Sequence, residues 1–227
     1  MTKPRNGKEI LSLETGYRFT VGGTMAATGD GRLLMLTTGP ETFGTKENFR
    51  IGRAEMWESR DAGRSWDCAG VLHKGTEETL YLPVSVLRLS SGKMLLLLAL
   101  YGGYDFATHD PAKSLLEFHT QTSEDNGRTW SPPARMEATW RYVNAPLGIV
   151  QLRSGRVLIP SGYLTPHSGR SVVCALYSDD EGEAWHRSDS VLDTGGEGFE
   201  SGACEPTVVE LPDGRLWMLM RTQTGVQ

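Results

Sequence analysis

The strongest constraint on this chain is a unit of about sixty residues written along it four times. Each copy carries an apolar run, a turn with glycine and a second apolar run: MAATGDGRLLML around Gly31, VLRLSSGKMLLLL around Gly92, IVQLRSGRVLIP around Gly155 and VVELPDGRLWMLM around Gly214. Asp-Gly or Ser-Gly between strand-length apolar runs marks a tight hairpin, because glycine takes the positive φ such turns demand. A second motif, Ser-x-Asp-x-Gly-x-x-Trp, alternates with the first as SRDAGRSW (59–66), SEDNGRTW (123–130) and SDDEGEAW (178–185), each after a strand-like segment. Its aspartate accepts turn amides, its glycine turns the chain and its tryptophan opens the next strand with a large apolar surface. Asp61, Asp125 and Asp180 are therefore read as structural staples of turns joining outer strands, not as catalytic carboxylates.

Each unit reads as two antiparallel hairpins, hence four strands, and four-stranded sheets repeated about an axis make a β-propeller. The expected class is all-β, with blades at about 17–72, 80–137 and 144–192, a half blade at 203–222, and a single partial propeller domain over 1–227. No helix is expected, since connections such as 101–114 carry Gly, Asp and Pro rather than apolar residues at helical spacing.

Hydrophobic residues make up 38% and charged residues 22% of the 227, enough for a real core and too apolar for a disordered chain. The formal net charge of -5 offers no broad positive field for nucleic acid or anionic lipid, so an anionic ligand needs a local arginine cluster. Residues 1–10 show no apolar run of a secretory leader, and the longest apolar stretch, 94–100, is too short to span a bilayer. Membrane association is not expected, and a cytoplasmic setting is favoured. Cys68, Cys174 and Cys204 are too few and too far apart for a disulfide framework or a zinc site, and the five histidines lack paired ligand spacing. Free thiols and no metal or other cofactor are the expectation.

Counting from the turns locates a candidate site. Glu205 and Arg221 each lie eight positions from Asp213, so a tight turn there sets them opposite each other on neighbouring strands. The same fold-back opposes Gly22 with Thr38, Tyr81 with Tyr101, and Asn144 with Leu164. These positions share one end of each inner hairpin and are expected to ring a common mouth, polar and aromatic, that suits a sugar. Two readings of Glu205 and Arg221 stay open: a functional pair, or a cross-strand salt bridge of small worth at an exposed edge. His109 and Asp110, in the long loop after Tyr101, either line the mouth or form plain loop.

The three Ser-x-Asp-x-Gly-x-x-Trp boxes resemble the Asp-box, or BNR, repeats of the sialidase (neuraminidase) superfamily. GIVQLRSGRVLIPSGY (148–163) is similar to the third-blade region of its bacterial members, and EPTVVELPDGRLWMLMR (205–221) to their stretch from a functional glutamate to a functional arginine. The resemblance implies a six-bladed propeller of roughly 360 residues, so a truncated or partial gene product is expected, with closure by self-association through the open blade edge as the alternative. It also implies that Glu205 is the base to a tyrosine nucleophile and that Arg221 is one of three arginines holding the carboxylate of sialic acid. Arg18, in Tyr17-Arg18-Phe19-Thr20, stands nearest to the first of those arginines, without the usual proline. The acid aspartate of the family belongs on the loop at 39–52, which contains none; Glu47 or Glu41 stands in as general acid, or both are solvated loop charges. Arg50 and Arg53 flank that loop as carboxylate binders or surface charges. The tyrosine nucleophile and third arginine belong to later blades.

Three functions follow from this reading. One is a sialidase-like exo-glycosidase, incomplete in this chain, that releases sialic acid or a related acidic sugar; another is a non-catalytic carbohydrate-binding or scaffold propeller. The third is a propeller hydrolase or lyase acting on a different uronic or nonulosonic acid. In each the partner is an acidic sugar or sialoglycoconjugate.

Overall fold

The glycine turns close in the same way four times. At the first, the Gly31 amide donates to the Thr28 carbonyl (3.2 Å) and the Thr28 amide to the Arg32 carbonyl (2.9 Å); Leu89, Leu152 and Leu211 repeat this with Lys93, Arg156 and Arg215. The turn glycines have φ of 83°, 100°, 92° and 88°, the left-handed conformation in which a side chain is strained. The computed structural model describes residues 23–38, 53–76, 78–103, 105, 107–137, 143–144, 148–198 and 201–223.

Among these residues the fold is all-β apart from one short 3-10 turn at Pro111–Lys113. The first sheet is an antiparallel meander of β1 (Gly23–Ala27), β2 (Leu33–Thr38), β3 (Arg53–Ser59) and β4 (Asp67–Lys74). The second repeats it with β5 (Leu80–Arg88), β6 (Met94–Gly103), β7 (Leu115–Ser123) and β8 (Ala134–Arg135). In the third, β9 (Val143–Asn144) and β10 (Val150–Gln151) share the inner position beside β11 (Val157–Leu164), followed by β12 (Ser171–Ser178) and β13 (His186–Arg187). The last hairpin, β14 (Gly202–Glu210) and β15 (Leu216–Gln223), joins the third sheet by a single parallel bridge, Ser171 to Gly202. Only glycine permits that approach, because a Cβ on Gly202 would stand 2.3 Å from the Ser171 carbonyl oxygen.

Neighbouring sheets pack face to face and share two apolar cores. Leu34 and Leu36 of β2 meet Val86, Met94, Leu96 and Leu98 of the second sheet. On the other face of that sheet, Leu95, Leu97 and Phe118 meet Val157, Ile159 and Leu176 of the third. This explains the unbroken apolar run of β6: its alternate side chains serve different cores, so both faces are buried.

Polar ties set the register between sheets. The Val86 amide donates to Thr24 Oγ1 (2.8 Å) and the Ile149 amide to Ser85 Oγ (3.1 Å). Thr24 and Ser85 each sit seven residues before their turn glycine, and Val86 and Ile149 each six before theirs. The hydroxyl of one blade thus holds the inner strand of the next. The third pair of blades lacks this bond, because Gly148 occupies the hydroxyl position. There Glu210 accepts from the Arg153 amide (2.8 Å) and Nε (3.1 Å) instead.

Each Asp box is a closed hydrogen-bonded unit. Asp61 accepts from Ser59 Oγ (2.9 Å), the Ser65 amide (2.8 Å) and Ser65 Oγ (2.6 Å), while Ser59 Oγ accepts from the Gly63 amide (2.8 Å). Asp125 does the same with Ser123 and Thr129. Asp180 keeps Ser178 and the Ala184 amide, but Ala184 has no hydroxyl to give. The carboxyls follow suit. The hydroxyls of Ser65 and Thr129 hold Asp61 and Asp125 at about 2, whereas Asp180 is lowered chiefly by the Ala184 amide. Trp66, Trp130 and Trp185 each donate Nε1–H back to the box glycine carbonyl at 3.2, 3.2 and 3.0 Å.

Two outcomes follow from the boxes. Ala184→Thr restores the missing hydroxyl and is expected to raise the melting temperature, by about 0.5–1 kcal/mol of stability for one exposed hydrogen bond. Calorimetry of that variant beside Ser65→Ala, which moves the other way, checks it. Because Asp61 and Asp125 are depressed from 3.8 to about 2, their contribution is complete above pH 3.8 and is lost as pH falls toward 2. Asp61→Asn with Asp125→Asn is expected to flatten that part of an acid-unfolding curve.

Candidate functional site

The hairpin ends remote from the glycine turns carry the candidate residues. At this end the first sheet presents Gly23, Thr38 and Arg53, the second Leu80, Tyr101 and Leu115, the third Leu164 and Ser171, and the last hairpin Gly202 and Gln223.

Glu205 and Arg221 meet there. Arg221 Nε donates to Glu205 Oε2 at 2.8 Å and its Nη2 to Oε1 at 3.4 Å, a two-bond pairing of guanidinium with carboxylate. Both side chains are 41% exposed, so the pair lies at the surface. Arg221 Nη1 also donates to Gln223 Oε1 (3.3 Å). The backbone route differs from a plain fold-back: Cys204, not Glu205, pairs with Arg221, and the ladder resumes at Thr207 and Leu219. Glu205 and Pro206 together oppose Met220, a β-bulge at a proline that has no amide for the ladder. Glu205 takes φ 50° within it, a left-handed conformation that costs a non-glycine residue of order 1–3 kcal/mol. Strain of this kind persists where surrounding structure imposes it.

The remaining candidates take several positions. Tyr101 pairs with Leu80 rather than Tyr81, because the ladder slips between Pro83 and Ser85; Tyr101 and Tyr81 are half-buried. Asn144 pairs with Gly162 rather than Leu164, two residues out of the expected register, since β9 and β10 are separate pieces of the inner strand. Gly23 pairs with Thr37, while the expected partner of Thr38, Gly22, lies outside the described residues. Arg18, Glu41, Glu47 and Arg50 lie outside them too. Arg53 Nε is ion-paired to the buried Glu55 at 2.5 Å, which ties it to its own sheet. His109 takes φ 52° and its carbonyl accepts from the His167 amide (3.3 Å), linking loops of the second and third sheets. The Asp boxes sit at the opposite end, beside the glycine turns.

A polar cluster unforeseen from the sequence fills the seam between the first two sheets. Glu117 accepts from Arg135 Nε (3.0 Å), with His119 Nε2 3.3 Å away, and His73 Nε2 lies 2.7 Å from Gln121 Oε1. The Tyr81 ring contacts His73 and His119. Burial, and then the Glu117 carboxylate, push the Tyr81 phenol up. Glu117, His119 and Gln121 alternate along β7, while His73, Tyr81 and Arg135 come from three other strands. Cys174 and Cys204 are buried and Cys68 is exposed, all three as free thiols; burial raises the Cys174 thiol to about 11. Among the described residues no group of three or more His, Cys, Asp or Glu could hold a metal ion.

The model of the BNR repeat-like domain family matches residues 55–227. The chain belongs to that family. Solved structures similar to it include a Hadza microbial sialidase, with 16% identity and a TM-score of 0.67 over 92% of this chain and 43% of that one. The Trypanosoma rangeli sialidase in complex with the inhibitor DANA matches at 15% identity and TM-score 0.64, over 88% of this chain and 34% of its own. The NanB sialidase from Streptococcus pneumoniae matches at 15% and 0.66, over 92% and 49%. This BNR-repeat chain therefore has the sialidase-like propeller fold, about three and a half four-stranded blades of it, and spans less than half the length of these three chains.

The strain at Glu205 gives a direct expectation. Glu205→Gly and Glu205→Ala both lose the ion pair, but only alanine keeps the left-handed penalty, so the glycine variant is expected to be the more stable by about 1 kcal/mol. Urea unfolding of the two side by side measures the difference.

Proposed function

We propose that this chain carries part of a sialidase-like exo-glycosidase site for sialic acid or a related acidic sugar. In this reading Glu205 is the general base and Arg221 grips the sugar carboxylate. The observation that carries it is the strained, bulged Glu205, which presents its carboxylate to Arg221 at the hairpin end, both side chains half-exposed. A cross-strand salt bridge alone is worth a few tenths of a kcal/mol at such exposure and gives no reason to bear the backbone strain. A planar guanidinium binds a carboxylate through two parallel bonds, and a carboxylate is a residue type that can serve as a base. The nucleophile, the acid and the other arginines of such a site would come from elsewhere, Glu47 and Arg18 among them, with Tyr101 and Asn144 as wall residues.

One sequence observation favours a binding-only propeller: the loop at 39–52 offers no aspartate as acid. Both readings share the arginine and differ in turnover. A fluorogenic sialoside and binding by calorimetry to sialic acid, a uronic acid and a neutral hexose separate them. In a full-length protein that supplies the nucleophile, catalysis predicts release of the fluorophore, abolished by Glu205→Ala, while the 227-residue chain alone is expected to release none; binding without release by the full-length protein supports the scaffold reading. In either case Arg221→Ala is expected to weaken acidic-sugar binding at least about tenfold while leaving neutral sugars unchanged, since it removes a charge-assisted pair. Acidic-sugar affinity unmoved by Arg221→Ala would overturn the proposal.

A further inference from the structure

The ladder of the last hairpin runs in two registers. From the turn outward its pairs are Glu210 with Leu216 through to Thr207 with Leu219, and the same count carried on would set Glu205 opposite Arg221 and Ala203 opposite Gln223. The observed partners at the far end are Cys204 for Arg221 and Gly202 for Gln223, one residue earlier on β14. The bulge at Glu205 and Pro206 takes up that difference, and Glu205 leaves the extended conformation to do so. Pro206 marks where the ladder gives way. What holds the far end one residue out is the entry to the strand.

Three contacts grip that entry. The Ser171 amide donates to the Ser201 carbonyl (2.7 Å), and Ser171 bridges Gly202. Gly196, at φ 112°, lies against the paired Gly202 and Gln223: a Cβ on it would stand 3.2 Å from both the Gly202 nitrogen and the Gln223 carbonyl oxygen. Arg170 joins these two grips. Its carbonyl accepts from the Thr165 amide (2.7 Å) and hydroxyl (3.0 Å), its Cγ lies 3.1 Å from where a Cβ on Gly202 would stand, and its Nη2 donates to Asp193 Oδ2 (2.6 Å). Asp193 Oδ1 in turn accepts from the amide of Gly195, the residue before Gly196 (2.9 Å).

We infer that Arg170 is a positioning residue for Glu205 and Arg221: through Asp193 and the glycine linker it clamps Gly202 opposite Gln223, and that clamp forces the strained bulge at Glu205. Its bearing on a ligand rests on the reading of that pair as the acidic-sugar site. The side chains of Arg170 and Asp193 are 31% and 39% exposed, so their ion pair adds little stability of its own. Its effect is geometric. Without the clamp β14 slides by one residue into the register of the turn, where residue 205 takes the extended backbone of an ordinary strand. Glu205 then meets Arg221 as a plain cross-strand pair, with its carboxylate no longer aimed from a bulge.

Urea unfolding tests the clamp without any ligand. With Arg170 in place, Glu205→Gly is expected to unfold at higher urea than Glu205→Ala, because only alanine keeps the left-handed penalty. In an Arg170→Ala background the two midpoints are expected to coincide; in an Arg170→Lys background, which keeps a cation for Asp193, the gap is expected to return. An Arg170 that only adds stability lowers both midpoints alike and leaves the gap, and a cooperative transition shows that each variant is folded. In calorimetry with sialic acid, Arg170→Ala is expected to weaken binding in step with Arg221→Ala, and Arg170→Lys to recover it. A gap that survives Arg170→Ala or is absent with Arg170 in place, or binding weakened by Arg221→Ala but not by Arg170→Ala, overturns the inference. Sialic acid affinity indifferent to Arg221→Ala overturns the sugar reading instead, and the midpoints still decide the clamp.

Discussion

Burial of apolar side chains on both faces of a blade between its neighbours is the constraint on which this structure rests. A four-stranded sheet of this composition has apolar side chains above and below its plane, and neither set can be left to water without losing most of the free energy that orders the chain. The second blade satisfies the condition fully. Met94, Leu95, Leu96, Leu97 and Leu98 are all 0% exposed, alternately serving the core before and the core after. No blade is an independent folding unit in this arrangement, because each supplies half of its neighbour's core.

Hydrophobic contact alone does not fix how far one sheet slides along the next, since leucine on leucine tolerates displacement. Directional bonds do that, and they lie both along the inner strands and at the turns. Near the middle of the inner strands, the hydroxyls of Thr24 and Ser85 hold the amides of Val86 and Ile149. At the turns, Arg32 is buried and bonded through all three nitrogens, with Asp30 and Glu58 on its own sheet and the Asn126 carbonyl on the next. A buried guanidinium with an unmet donor is costly, so this network ties the hairpin of one blade to the Asp box of its neighbour. The box glycines contribute by being small: a Cβ on Gly127 would come within 2.5 Å of Leu34 Cδ2, and one on Gly182 within 3.0 Å of Leu95 Cδ1.

How much of this was legible in the sequence depended on the range of the chemistry. The glycine turns and Asp boxes close through bonds between residues two to four apart, so their spacing is their structure, and both could be read directly. Counting from Asp213 also brought Glu205 to Arg221, because two long side chains absorb a one-residue error. The same counting misplaced Tyr101 against Tyr81 and Asn144 against Leu164. It presumed an unbroken ladder, and Pro83 and Pro206 each mark a bulge that shifts the register. Proline inside a strand is the signal that would have warned of it. The seam cluster of Glu117, His119, Tyr81 and His73 was hidden for a different reason: Glu117 and His119 alternate along one strand, but Tyr81 reaches them from two strands away and His73 from the neighbouring blade.

The bulge at Glu205 links the fold to its site. An unbroken ladder would alternate side chains strictly, and Glu205 would then share a face with Thr207 and Val209. The extra residue breaks that alternation, and the left-handed φ re-aims the carboxylate toward Arg221 at the strand end. A proline that cannot donate makes the interruption, and the salt bridge then occupies the space the interruption opens. The interior blades need regularity to bury their faces; the hairpin end does not, and irregularity there is tolerated. That division explains why turn-end residues follow the repeat so closely from blade to blade, while the opposite ends differ in every blade: Arg53 bound to Glu55, Tyr101 beside Leu80, Asn144 opposite Gly162, and Glu205 paired with Arg221.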